Sequence, residues 1–194
     1  MFKRYGFLGL TRLFVSLIYT KIFFKKARII RLPLDIRNRK NIDLGENLTT
    51  GVGCRLEAYP VEDKVVLKFG KNVQINDYVH ISAMQSVSFG DNVLVASKVF
   101  ISDLNHGSYS GEEQDSPNTP PNERKLYAKA IIIEDNVWLG EFVSVLQGVT
   151  IGKGTIVGAN SVVSKSLPPY VIAVGVPAKP VKKFNFVSER WERV

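Results

Sequence analysis

From Ile133 onward the chain repeats every six residues: IEDNVW, LGEFVS, VLQGVT, IGKGTI, VGANSV, VSKSLP. The first position of each hexad is aliphatic (Ile133, Leu139, Val145, Ile151, Val157, Val163), and the second is usually small (Gly140, Gly152, Gly158, Ser164). The same period runs through FGKNVQ, INDYVH and ISAMQS from Phe69, with Val87 keeping the phase. After a two-residue slip it resumes from Phe89 as FGDNVL, VASKVF and ISDLNH. A fainter turn, LGENLT then TGVGCR, begins at Leu44. All thirteen first positions from Phe69 onward are aliphatic or Phe.

Six residues are too many for a helical turn and hold several strand steps, so each hexad predicts one short strand plus a corner. Three hexads make a coil of about 18 residues, and stacked coils make an all-β parallel β-helix solenoid. The first-position side chain then points inward, and the small second residue lets the corner turn tightly. The period breaks between Asp103 and Ala130, a polar segment containing Pro117, Pro120 and Pro121. A break of about 28 residues is long for an idle connection, and an extruded loop of this kind tends to carry function. His106 lies at its root. Pro168 and Pro169 end the strand register, and residues 184–194 suggest a short terminal helix or cap over the open end.

Residues 1–40 hold eleven Lys or Arg and one acid, Asp35, a balance of +10. The chain as a whole is +8, so the remaining residues sum to −2. The leading stretch mixes the basic residues with Phe, Leu, Ile and Tyr. Its longest uncharged run, Leu13–Thr20, is eight residues, shorter than a membrane-spanning helix, and no small-residue cleavage site marks a signal peptide. Two readings stay open for residues 1–30. One is a basic amphipathic helix on a membrane surface; the other is a helix packed on the body or on a partner subunit. The chain thus divides into an extension (1–35), a solenoid (36–183, with the loop at 103–130) and a tail (184–194).

The length of 194 residues suits one domain with a core, and 45% apolar with 23% charged residues excludes a disordered chain. The single Cys54 forbids an internal disulfide and reads as inert. The two histidines, His80 and His106, limit metal chemistry. A basic total suggests an anionic partner, but the repeat body is not basic and holds no nucleic-acid motif, which argues against nucleic acid.

The hexads, NVWLGE (Asn136–Glu141), VGANSVVSKSLPP (Val157–Pro169) and GVPAKPVKK (Gly175–Lys183) resemble the hexapeptide-repeat acyltransferases. Within that superfamily the chain is similar to maltose and galactoside acetyltransferases. It is most similar to bacterial O-antigen and polysaccharide O-acetyltransferases, through VQINDYVHI, ASKVFISDLNHG and the KRYG opening. The resemblance covers roughly residues 1–190. It implies a left-handed β-helix, an acetyl-CoA donor with no metal, a homotrimer with sites between subunits, and direct transfer to a sugar hydroxyl with a loop histidine as base. It places that base at His106. It places Trp138, Ala159, Ser164, Lys165, Lys179 and Lys182 near CoA, and Ser82 at the acceptor.

A sugar hydroxyl needs a base, and imidazole is suited to the task. The base's second nitrogen needs an acceptor, for which Asp103 and Glu141 are candidates. Each other residue also has a plain reading. His80, at the sixth position of its hexad, is structural or acceptor-binding. Trp138 covers a coil edge or lies near CoA. The Lys179–Lys183 cluster is solvated or meets phosphates. The implied acceptor is a surface-polysaccharide or lipid-linked glycan sugar, with a small free or nucleotide-linked sugar as the alternative. The location expected is cytoplasmic, peripheral at the inner face of the cytoplasmic membrane. A β-helical zinc carbonic anhydrase needs three histidines and this chain has two. A silent hexapeptide scaffold is the non-enzyme alternative.

Overall fold

The computed structural model describes residues 2–194, with side chains from residue 6 onward. Lys3 and Arg4 of the basic extension therefore lie outside the described side chains. The body is a triangular parallel solenoid. Its first face stacks Leu34–Arg37, Cys54–Ala58, His80–Ala83, Phe100–Ser102, Ser144–Val145 and Val162–Val163. Its second face stacks Ile42–Asp43, Leu67–Lys68, Val87–Phe89, Ile131–Ile133 and Thr150–Ile151. Its third face runs from Thr49–Thr50 through Gln74–Ile75, Leu94–Val95, Trp138–Leu139 and Ile156–Val157 to Val171–Val174.

All thirteen first-position residues are at most 5% exposed, and most are fully buried. They stack in register: Ile81 on Ile101, Ile101 on Val145, Val145 on Val163. At the two-residue slip Phe69 and Phe89 stack face to face at 4.8 Å and 12°. Each buried aliphatic side chain contributes roughly 1.5–3 kcal/mol, so the repeat is itself the core.

The corners correct one expectation. The left-handed residue that turns the chain is the fourth of the hexad, as at Asn72, Asn92, Asn136 and Asn160, all with φ between 56° and 59°. Asn tolerates that backbone better than most residues. Its side chains also form a ladder, with Asn47 Nδ2 donating to Asn72 Oδ1 and Asn72 Nδ2 to Asn92 Oδ1, both at 3.2 Å. The second position is small for a different reason: the neighbouring coil approaches it. A Cβ on Gly140 would sit 2.7 Å from the Ala159 nitrogen.

The solenoid starts earlier than residue 36, because Ile29 bridges Thr49 and the Leu34–Arg37 strand pairs with Cys54–Ala58. The C-terminus differs more. Lys179–Asn185 and Arg190–Arg193 are antiparallel strands that extend the third face, where a short helix was expected. The cause is aromatic packing at strand spacing. Phe184 meets Trp191 at 5.2 Å and Phe186 at 5.0 Å, and Phe186 meets Tyr170 at 4.8 Å.

The N-terminal helix α1 spans Phe2–Phe23 and kinks at Gly6, whose φ is 61°. It docks through its polar edge. Thr20 Oγ1 accepts from the Ile30 amide at 2.8 Å, and Ser16 Oγ from the Leu32 amide at 3.3 Å. Ser16 and Thr20 are buried, while Phe7, Leu8, Phe14, Val15, Ile18, Ile22 and Phe23 face outward. The stretch Gly6–Phe23 is long and apolar enough to cross a membrane by length and composition, with Arg12 and Lys21 its only charges. The eight-residue uncharged run understated this, since two isolated basic residues do not cancel the apolar character of an 18-residue window.

Candidate active site

The chain leaves the solenoid where the first face meets the second, between Phe100–Ser102 and Ile131–Ile133. There Leu104–His106 pairs antiparallel with Leu126–Ala128, bringing His106 opposite Leu126. His106 is exposed, and its Nδ1 lies 3.2 Å from the Pro121 carbonyl oxygen. The surroundings are tied down. The Gly107 amide donates to Lys125 O at 2.9 Å, Arg124 Nη1 donates to the Tyr109 hydroxyl at 2.7 Å, and that hydroxyl donates to the His106 carbonyl. Gly107 has φ 105°, and a side chain there would meet Tyr109.

Neither expected carboxylate contacts His106. Asp103 is fully buried, and its carboxylate accepts the amides of Met84 (2.8 Å), Gln85 (2.9 Å) and Ser86 (2.7 Å). Burial pushes its carboxyl above the ordinary aspartate range, against the pull of those amides. Asp103 therefore holds a turn of the neighbouring coil and does not orient the histidine. Glu141 is exposed on the corner between the third and first faces, the edge of the first face opposite His106. Within one chain the acceptor for Nδ1 is the Pro121 carbonyl, a backbone group with no side-chain signature in the sequence.

The strands beside His106 carry the other expected residues. Ser82 pairs with Glu57 on one side and Ser102 on the other. At about 4.8 Å per strand these form one row across the face. His80 occupies the adjacent outward row, and its Nε2 contacts Glu57 Oε2 at 2.8 Å. Glu57 is 3% exposed. It also accepts hydrogen bonds from Arg55 Nε and the Tyr59 hydroxyl and forms an ion pair with Arg37 Nη1, each at 2.8 Å. Burial raises its carboxyl, but the bonds from His80, Tyr59 and Arg55 outweigh burial and hold it below the usual range. The sequence reading missed this network. The alternation Arg55, Glu57, Tyr59 in RLEAY was its one available signal, since strand period two puts all three on one side.

On the third face, Trp138 pairs with Ile156, Ile156 with Ile172, and Ile172 with Lys182. Trp138 and Lys182 thus share one row, both exposed. Lys179 pairs with Val174 at the far end of the same hairpin. Ala159 is exposed at the corner against Gly140, and Ser164 and Lys165 are exposed at the next corner. Trp138, Ala159, Lys179 and Lys182 lie on the third face or at its corner with the first, away from His106 in the single chain, whereas Ser164 and Lys165 lie on the same edge as His106, two strands further along. Cys54 is buried, and burial pushes its thiol up to about 11, in keeping with an inert thiol. Among the described residues no group of three His, Cys, Asp or Glu is placed to hold a metal.

The family description "Bacterial transferase hexapeptide (six repeats)" matches residues 130–165. Over 192 residues the chain is 49% identical to WbbJ of Escherichia coli K12, an O-acetyl transferase provisionally assigned to lipopolysaccharide biosynthesis. The match covers 98% of this chain and 96% of that one. Among solved structures, AntD, an N-acyltransferase of Bacillus cereus, aligns with a TM-score of 0.69 at 24% identity. That alignment covers 86% of this chain and 87% of AntD, and supports the fold alone. A hexapeptide-repeat acetyltransferase of Vibrio cholerae O1 biovar eltor, VCA0836, solved with acetyl-CoA, aligns with a TM-score of 0.55 at 26% identity. It covers 71% of each chain. The stacked hexads, their parallel register and the near full-length match lead to one assignment: the chain belongs to the hexapeptide-repeat family of acetyl-CoA-dependent acetyltransferases, with their left-handed β-helix fold.

Proposed function

We propose that this protein moves an acetyl group from acetyl-CoA to a sugar hydroxyl of a surface-polysaccharide or O-antigen intermediate, with His106 as general base. The observation that carries this reading is the 49% identity to WbbJ over 98% of the chain, which reaches through the excursion bearing His106. In the proposed reaction Nδ1–H donates to Pro121 O, leaving Nε2 unprotonated toward the acceptor. Nε2 takes the hydroxyl proton as the oxygen attacks the thioester carbon. The C–S bond then breaks, and the thiolate of CoA receives that proton as it leaves. Backbone amides of the Gly-rich corners are suited to hold the intermediate oxyanion.

Trp138 and Lys182, with Ala159, Ser164, Lys165 and Lys179, form the proposed CoA surface, the lysines meeting phosphates. Because Trp138, Ala159, Lys179 and Lys182 are apart from His106 in one chain, the reading entails a homotrimer in which neighbouring subunits complete each site. His80 and Ser82, beside the buried Glu57, form the acceptor platform. The proposed location is the inner face of the cytoplasmic membrane, a reading supported by the outward apolar side of α1.

The test is thiol release from acetyl-CoA with lipid-linked oligosaccharides compared with free and nucleotide-linked sugars. The expected result is the highest kcat/KM with the lipid-linked glycan. No release with any glycan overturns the reading, and sedimentation as a monomer overturns the trimer.

A further inference from the structure

A cavity of about 990 Å³ lies between α1 and the first coils of the solenoid. Its wall carries Arg12 from α1, Arg28 and Arg31 from the connector, and Gln74, Asn76 and Tyr78 from the solenoid. Asp77 is the one carboxylate on the wall, and its Oδ1 is engaged by the Val52 amide at 2.9 Å. Three guanidiniums against one carboxylate leave a net positive chamber. Arg31 is oriented by its own bond, Nη1 to Thr50 O at 2.9 Å. The planar fork of arginine matches phosphate oxygens, and the volume lies at the upper end of the small-ligand range.

The position is informative as well. Asn76, Asp77 and Tyr78 lead directly into the first-face strand His80–Ala83. The cavity is therefore at one edge of that face and His106 at the other. His80, Glu57 and Ser82 lie between them. A face crossed by a strand of four or five residues at about 3.3 Å each is about 15 Å wide, the reach of a short oligosaccharide. The helix that supplies Arg12 also exposes Phe14, Val15 and Ile18.

We infer that the Arg12–Arg28–Arg31 cavity binds the diphosphate through which the acceptor glycan is joined to its carrier, so that the glycan lies across the first face with its reacting hydroxyl at His106. This inference rests on the glycan-acceptor reading above.

The test is isothermal titration of the full-length protein, saturated with CoA, using inorganic pyrophosphate, farnesyl diphosphate and UDP. Saturable binding of all three is expected, with Kd at least tenfold higher in Arg12→Gln/Arg28→Gln and unchanged in Lys64→Gln. Tighter farnesyl diphosphate identifies a lipid carrier, and tighter UDP a nucleotide carrier. A second measurement needs no variant: pyrophosphate should slow tryptic cleavage after Arg12, Arg28 and Arg31 in the wild-type protein. Absence of binding, displacement of the probes by CoA, or equal affinity in the double variant overturns the inference. Diphosphate binding without transfer to any glycan supports the cavity and fails only the acceptor reading. Glycan transfer without diphosphate binding overturns the cavity and leaves the acceptor reading standing.

Discussion

The Nδ1 of His106 lies 3.2 Å from the carbonyl oxygen of Pro121, fifteen residues further along the same excursion. A carbonyl accepts and never donates, so this contact selects the imidazole tautomer that keeps Nε2 free to take a proton. It also makes the orientation of the proposed base depend on the path of a loop and not on a carboxylate side chain of the same chain.

His106→Ala should lower kcat by about two to four orders of magnitude, the usual worth of a general base. The side chain is exposed, so thermal stability and CoA binding should be unchanged. A stopped assay of thiol release beside CoA titration checks both. A near-normal rate removes His106 from the chemistry.

Asp103→Asn should behave differently. Its carboxylate holds three amides of the neighbouring coil, and Asn offers one acceptor oxygen in place of two. A loss of stability of about 1–3 kcal/mol follows from a buried donor left unpaired. In urea denaturation the midpoint should fall. Undiminished stability with selective loss of kcat would instead make Asp103 a partner of the base.

Glu57 predicts a pH signature. Its folded carboxyl lies below the ordinary value of 4.5, so its contribution to stability is fully present above that value and lost as pH falls through the folded value. Glu57→Gln should therefore cost about 2 kcal/mol at neutral pH, as expected when charge-assisted bonds are lost from a buried acceptor. The difference from wild type should shrink as the pH drops below 4.5. Denaturation curves at several pH values measure it, and a pH-independent difference would refute the assignment.

Gly152→Ala tests the coil contacts. A Cβ there would lie 2.7 Å from Pro169 Cα, a backbone atom that cannot swing aside. Overpacking of this kind costs about 1–3 kcal/mol, although Ala is otherwise the easier residue to order. A lowered Tm is expected, and a raised Tm would show that the coils can separate there.

The outward side of α1 can be tested without disturbing its docking. Phe14 is 64% exposed and Ile18 46%, so Phe14→Ser/Ile18→Ser should leave Tm unchanged. It should also weaken sedimentation with phosphatidylglycerol vesicles. Undiminished vesicle binding would show that this side of α1 serves another contact.

Much of this architecture is legible in the order of residues. A six-residue period of buried aliphatics can be satisfied by a parallel coil, because each first position needs an apolar neighbour directly above and below. The interruption at Asp103–Ala130 is equally legible, since its polar residues and prolines cannot join that stack. The role of the small second position was visible as a pattern, but its cause was not. What excludes a side chain is the next coil, about twenty residues away at Gly70, where it is Gly90 and Asp91, and about forty-five away at Gly90, where it is Glu134 and Asp135 beyond the excursion.

Only the tertiary structure decided which groups meet. Asp103 is three residues from His106, yet it turns back into the previous coil, because a buried carboxylate is drawn to three unpaired amides. Glu57 and His80 are 23 residues apart and touch at 2.8 Å because one coil stacks on the next. Arg12, Arg28 and Arg31 read as part of a diffuse +10 segment, and they line one chamber because α1 docks by Ser16 and Thr20. Composition counts charges, whereas the docking of a helix edge sets where they point. The period of six therefore determined the coil and its core, and the distances across coils, which no local pattern records, determined the chemistry available on its faces.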